Sequence, residues 1–186
     1  MTRDLPILLQ LRKFNAVRVF ISVTTLDREL AQRMEPRASL PAQRLRAISE
    51  LSSAGIPVGL MAAPMIPGLT DHELPAILEA GKNAGALTAG YIVLRLPYGV
   101  KDIFSAWLDA KEPDKKQRII SRLTEFRGGK LYDSKWGERM TGKGFFAEQL
   151  SQLFEVSARR LGLNSELEPL SVDAFLPSSG KQLSFF

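Results

Sequence analysis

Apolar residues gather in three short runs between Val17 and Leu96, and polar residues at helical spacing fill the intervals. The runs are Val17–Thr24, Ile56–Pro64 and Ala89–Leu96. Short β-rich runs alternating with helical stretches predict a parallel sheet built from β/α units. A helix is expected over Asp4–Phe14, with Leu5, Leu8, Leu9 and Leu11 on one face. A second spans Pro41–Ser53, with Ser39 as its N-cap, Leu45, Ile48 and Leu51 inward, and Gly55 as its stop. A third opens at Thr70 or Asp71, where Thr70 and Glu73 have capping-box spacing, and ends near Gly85.

Beyond Pro97 the pattern changes. Val100–Ala110 and Pro113–Phe126 read as two helices, 127–144 is basic and glycine-rich, and Phe145–Leu161 reads as one long amphipathic helix. The expected division is 1–110 for the β/α units, 111–164 for a helical extension, and 165–186 for a flexible tail. The fold class is therefore α/β, three parallel strands with helices plus a C-terminal helical extension.

Composition narrows the chemistry. At 186 residues, 45% hydrophobic and 24% charged, the chain has the make-up of a soluble globular protein. It lacks the run of about 18 apolar residues that a membrane span needs, and its N-terminus has no signal-peptide pattern, so a cytoplasmic setting is expected. The chain has no cysteine, which excludes disulfides and thiolate metal sites within it. The single histidine, His72, makes a histidine-based metal site improbable. A net charge of +5 permits anionic partners without requiring one.

In parallel α/β sheets, ligands bind at the C-terminal ends of the strands. Here those ends carry Ser22, Thr24 and Thr25, then Pro64–Gly68, then Arg95–Pro97. Neighbouring strands lie about 4.8 Å apart, so three ends can meet one small ligand. In the first connection, Pro36 keeps Glu35 out of helical geometry, and Arg37 has the fork that grips a carboxylate. In the second, two prolines fix the path and Gly68 relaxes it, leaving Met65 and Ile66 to face a flat ring. A turn or stiff loop without a ligand explains the same residues.

Two further segments suggest partners. From Arg127 to Lys143, five cations face two acids, with Tyr132 and Trp136 interleaved. Arg127, Lys130, Tyr132, Lys135, Trp136 and Arg139 suit a nucleic-acid surface such as DNA, and equally a loop covering the sheet end. The last residues, Gln182, Leu183, Ser184, Phe185 and Phe186, resemble the short peptide by which bacterial replication and repair proteins dock on the sliding clamp, with Phe185 in place of the usual leucine. A tail folded back on its own domain fits the same residues.

Several segments together resemble the radical SAM enzymes, in the branch related to spore photoproduct lyase and often labelled DNA-repair-photolyase-like. They are Ile21–Asp27, Met34–Arg37, Arg44–Pro57, Ala63–Glu73, Leu94–Pro97, Gly128–Ser134 and Arg139–Gly142. The resemblance implies half of a (β/α)6 partial TIM barrel. It also implies a lyase-like enzyme that cleaves S-adenosylmethionine at a [4Fe–4S] cluster held by a Cys-x3-Cys-x2-Cys loop. By the same resemblance, Ser22 would lie against the methionine or ribose part of the cofactor, with Thr24 beside it among the cofactor-binding residues. Ile66 and Gly68 would flank the adenine, backbone near Leu94 and Arg95 would hydrogen-bond it, and Arg37 would be a further contact. No metal ligand is expected from this chain, because the cluster cysteines are absent.

The resemblance thus reads the chain as the C-terminal half of such an enzyme, catalytically inactive alone. A half barrel would also expose its first strand as an unpaired edge, which predicts marginal stability or self-association. A non-catalytic module binding nucleic acid or the clamp through the basic loop and the tail is the alternative.

Overall fold

Val19–Ser22, Val58–Met65 and Thr88–Val93 form strands β1, β2 and β3 of the computed structural model, all parallel, in the spatial order β1-β2-β3. The structure describes residues 2–129, 140–165 and 167–174. Among the described residues seven α-helices accompany the sheet: α1 Leu5–Arg12, α2 Arg28–Met34, α3 Pro41–Ser53, α4 Leu74–Asn83, α5 Val100–Lys111, α6 Pro113–Phe126 and α7 Phe145–Arg160. The expected α/β class, with three parallel strands and a helical extension, is what the chain forms. No helix among the described residues is long and apolar enough to cross a membrane.

Two helix starts differ from their sequence reading. Ser39 is not the N-cap of α3; Leu40 holds that position, and the Gln43 side chain accepts its N–H at 3.1 Å. Thr70 and Glu73 make no capping box. Residues Asp71–Glu73 form a 3-10 turn before α4, and both side chains bond elsewhere. At α2 the local rule holds, because Asp27 accepts from the N–H groups of Glu29 and Leu30.

Parallel register sorts the strand residues onto two faces. Ile21, Leu60 and Ala89 lie side by side, and this row faces the helices. Ile48 and Leu51 of α3 and Ile77 and Leu78 of α4 are fully buried in the same cluster. Gly81 brings α4 close to the sheet, since a Cβ there would come 2.5 Å from Leu60 Cδ2. Tyr91 meets Phe154 at 5.1 Å between ring centroids and ties β3 to α7.

The alternate rows, Phe20–Gly59–Thr88 and Ser22–Met61–Gly90, face the other way. The Phe20 ring lies across Gly59 and the Met61 thioether across Gly90. Phe20 is still 46% exposed, so among the described residues no layer covers this face there. β1 is also an edge of the sheet, four residues long.

The last helices sit over the C-terminal strand ends. Arg118 of α6 donates to Gly68 O at 2.7 Å, and Trp107 of α5 donates to Arg33 O at 2.9 Å. Glu112, between α5 and α6, is buried and takes Arg33 at 2.7 Å and Lys115 at 2.8 Å. Below the sheet, the chain after α7 returns past the strand starts. Asn164 accepts from Ala89 N at 2.7 Å, and Arg18 donates to Glu168 O at 3.0 Å.

Candidate functional site

The site begins where β1 ends. Chain direction points Thr24 and Thr25 at the neighbouring loops. Thr24 Oγ1 donates to Ala63 O at 3.1 Å. Thr25 Oγ1 donates to Glu73 Oε1 at 2.6 Å, and the other oxygen of that carboxylate takes Leu26 N–H at 2.7 Å. Thr25 Oγ1 also accepts from Asp27 N at 3.0 Å. Both threonines are buried, so the Thr24 hydroxyl, expected at a cofactor, instead joins β1 to β2. Of the strand-end hydroxyls, Ser22 is exposed on the bare face.

The Pro64–Asp71 turn is closed on itself. Ile66 N donates to Thr70 Oγ1 at 2.9 Å, and Thr70 N returns to Ile66 O at 2.9 Å. Gly68, with φ of 83°, donates its N–H to Asp71 at 3.0 Å and gives its carbonyl to Arg118. Met65 and Ile66 have no exposed surface. Met65 and Ile66, expected to face a flat ring, are therefore core instead, and of the pair expected to flank an adenine, Ile66 is buried and Gly68 lies against Arg118 and Ile119 of α6.

At the end of β3, Leu94 N donates to Met65 O at 2.8 Å, while Leu94 O accepts from Arg127 at 3.0 Å. Arg127, read as part of a cationic nucleic-acid surface, is 3% exposed and braces the strand end. Its role as a phosphate contact is withdrawn for that reason. Among the described residues Arg95 Nε is buried without a hydrogen-bond partner, a donor held beside the strand end with its capacity unspent. Arg37 lies exposed in the loop between α2 and α3. Lys130, Tyr132, Lys135, Trp136 and Arg139, together with Gln182, Leu183, Phe185 and Phe186, lie outside the described residues.

One residue escaped the sequence reading. Arg44, on the first turns of α3, donates to three acceptors from different segments. They are Ser39 O at 2.8 Å, Ser22 O at 3.0 Å and Glu35 Oε2 at 2.7 Å. Ser22 O belongs to the open edge of β1, so Arg44 caps one of the edge carbonyls. Phe20, Ser22, Gln43, Arg44 and Ala47 line a groove of about 600 Å³ along that edge. Glu35 and Arg44 are nine residues apart, which is no helical or strand spacing, so the pair carried no sequence signal.

These residues fit the cofactors of the resembled enzymes only in small part. A [4Fe–4S] cluster does not fit: the chain has no cysteine, and the described residues hold no group of three or more His, Asp or Glu side chains placed for a metal. For S-adenosylmethionine, the hydrogen bonds of Thr24, Gly68 and Leu94 are spent within the protein, while Ser22 and Arg95 Nε remain.

Comparison with known proteins places these observations. Residues 1–81 match the radical SAM superfamily. Over 125 residues the chain is 30% identical to an uncharacterised protein of Mycobacterium bovis and to uncharacterised proteins from two strains of Mycobacterium tuberculosis. That stretch is 66% of this chain and 36% of each relative, so the chain spans little more than a third of the curated proteins it matches. No solved structure matches.

Proposed function

We propose that this chain is the C-terminal part of a radical SAM barrel, one wall of an S-adenosylmethionine-dependent enzyme whose cluster ligands lie outside it. The observation that carries the reading is the bare face of the sheet beside the open edge of β1. Phe20 and Ser22 stand there exposed, on an edge strand whose outer side has no partner among the described residues and would be paired in a closed or longer sheet. The superfamily match over residues 1–81 takes in β1 and β2 and runs from α1 into α4.

In this reading the chain contributes surface, not a metal site. Ser22, on the bare face, and Arg95, with its unspent donor, are the groups that remain to meet the cofactor. The strand-end hydroxyls and the Pro64–Asp71 turn hold that wall rigid from behind. Placement in the spore photoproduct lyase branch, with a nucleic-acid substrate, rests on the motif likeness alone. The test is anaerobic reconstitution with iron and sulfide. This chain alone should retain no cluster, and the longer protein that contains it should. Stoichiometric cluster retention by this chain alone would overturn the reading.

A further inference from the structure

A second cavity lies away from the strand-end groove, where α6, α7 and the 3-10 turn before α4 meet. Its volume is about 210 Å³. Arg122 of α6 reaches into it. On α7, Phe146, Gln149, Leu150 and Leu153 follow i, i+3, i+4, i+7 spacing and supply one wall. Asp71 and His72 close the third side.

The arginine is held without being neutralised. Its guanidinium carbon sits 3.3 Å from the centroid of the Phe146 ring, a stacked cation–π contact that fixes the plane of the group. Among the described residues it makes no hydrogen bond or ion pair, so its N–H donors remain available. A planar donor fork set in an apolar wall is suited to a carboxylate. Asp71 also lines the cavity. One of its oxygens takes Gly68 N, and the carboxylate adds a like charge that opposes a dianion more than a monoanion. Apart from His72 and Gln149 the remaining lining is apolar, from Phe126, Phe146, Leu150 and Leu153, and the space suits a ring or a short branched chain.

We propose that this cavity binds a small monocarboxylate with an apolar body, its carboxylate on Arg122 and its body against Phe146, Leu150 and Leu153. The inference is independent of the radical SAM reading.

The test is an NMR titration of the whole chain with sodium benzoate, and with phenyl phosphate as the dianionic counterpart. Benzoate should give saturable shifts at His72 and across 146–153. Arg122→Gln should weaken binding about tenfold or more, the usual scale for losing a charge-assisted bidentate contact. Gln149→Glu, at an exposed rim position, should also weaken it and keeps the test informative if Arg122→Gln fails to fold. Shifts that do not saturate, benzoate affinity unchanged in Arg122→Gln or Gln149→Glu, or tighter binding of phenyl phosphate would each overturn the proposal.

Discussion

The hydroxyl of Thr25 and the carboxylate of Glu73 meet at 2.6 Å, joining the end of β1 to the turn that leads into α4. The same carboxylate holds Leu26 N–H, so one side chain satisfies two donors 47 and 48 residues away. Hydrogen bonds to charged groups contribute more than neutral ones, and a donor left unpaired away from water is costly. Glu73→Ala should therefore lower the unfolding free energy by roughly 2–4 kcal/mol, with Glu73→Gln losing less. Urea denaturation of the two variants checks this. Equal, near-zero losses would mean that the bridge does not hold the strand end.

Much of this architecture was legible in the sequence, and the reasons are local. Ile48 and Leu51 announce α3 by helical spacing, and the apolar runs mark all three strands. Helices α5, α6 and α7 follow the same periodicity. What was hidden depends on tertiary approach. Thr70 and Glu73 have the spacing of a local cap, yet Thr70 closes its own turn on Ile66 N–H, and Glu73 reaches across the fold to Thr25. Ile66 looked available to a ligand because a sequence shows a rigid turn but not that α6 closes over it. Arg127 sat in a basic run, and nothing in that run revealed the carbonyls of Val93 and Leu94 waiting for it.

Arg44 is expected to hold the end of β1 against α3 and the Glu35 loop. Arg44→Met keeps the apolar stem and removes all three hydrogen bonds. We expect a loss of about 2 kcal/mol, since the group is largely buried and charged. Amide exchange at Ile21 and Val23 should accelerate more than exchange at Leu60 in the sheet centre. Uniform acceleration across the sheet would show that Arg44 acts on global stability alone.

Glu112 gives the chain an acid-sensitive joint. Burial by itself would push its carboxyl up, but the hydrogen bonds from Lys115 and Arg33 outweigh that and hold it below the ordinary value of 4.5. A folded-state value below the unfolded one stabilises the protein at pH above 4.5, and the contribution disappears as pH falls through the lower, folded value. Stability should thus decline as pH falls from about 4.5 toward that lower, folded value, and Glu112→Gln should flatten part of the decline. An identical pH profile for the variant would remove Glu112 as a cause.

The uncovered edge should make the isolated chain associate. Phe20 offers apolar surface beside the free outer edge of β1, which favours edge-to-edge contact. Sedimentation velocity should show species that grow with concentration, and Phe20→Lys should shift the distribution towards monomer. A monomer at every concentration would indicate that β1 is short enough to be harmless.

The most direct measurement is the nucleotide sequence upstream of the codon for Met1 in the source DNA. The account predicts an in-frame continuation that encodes further β/α units and a Cys-x3-Cys-x2-Cys segment, the strands and ligands that β1 lacks. A stop codon with no such segment nearby would contradict it, and would leave the sheet as a binding module with an open edge.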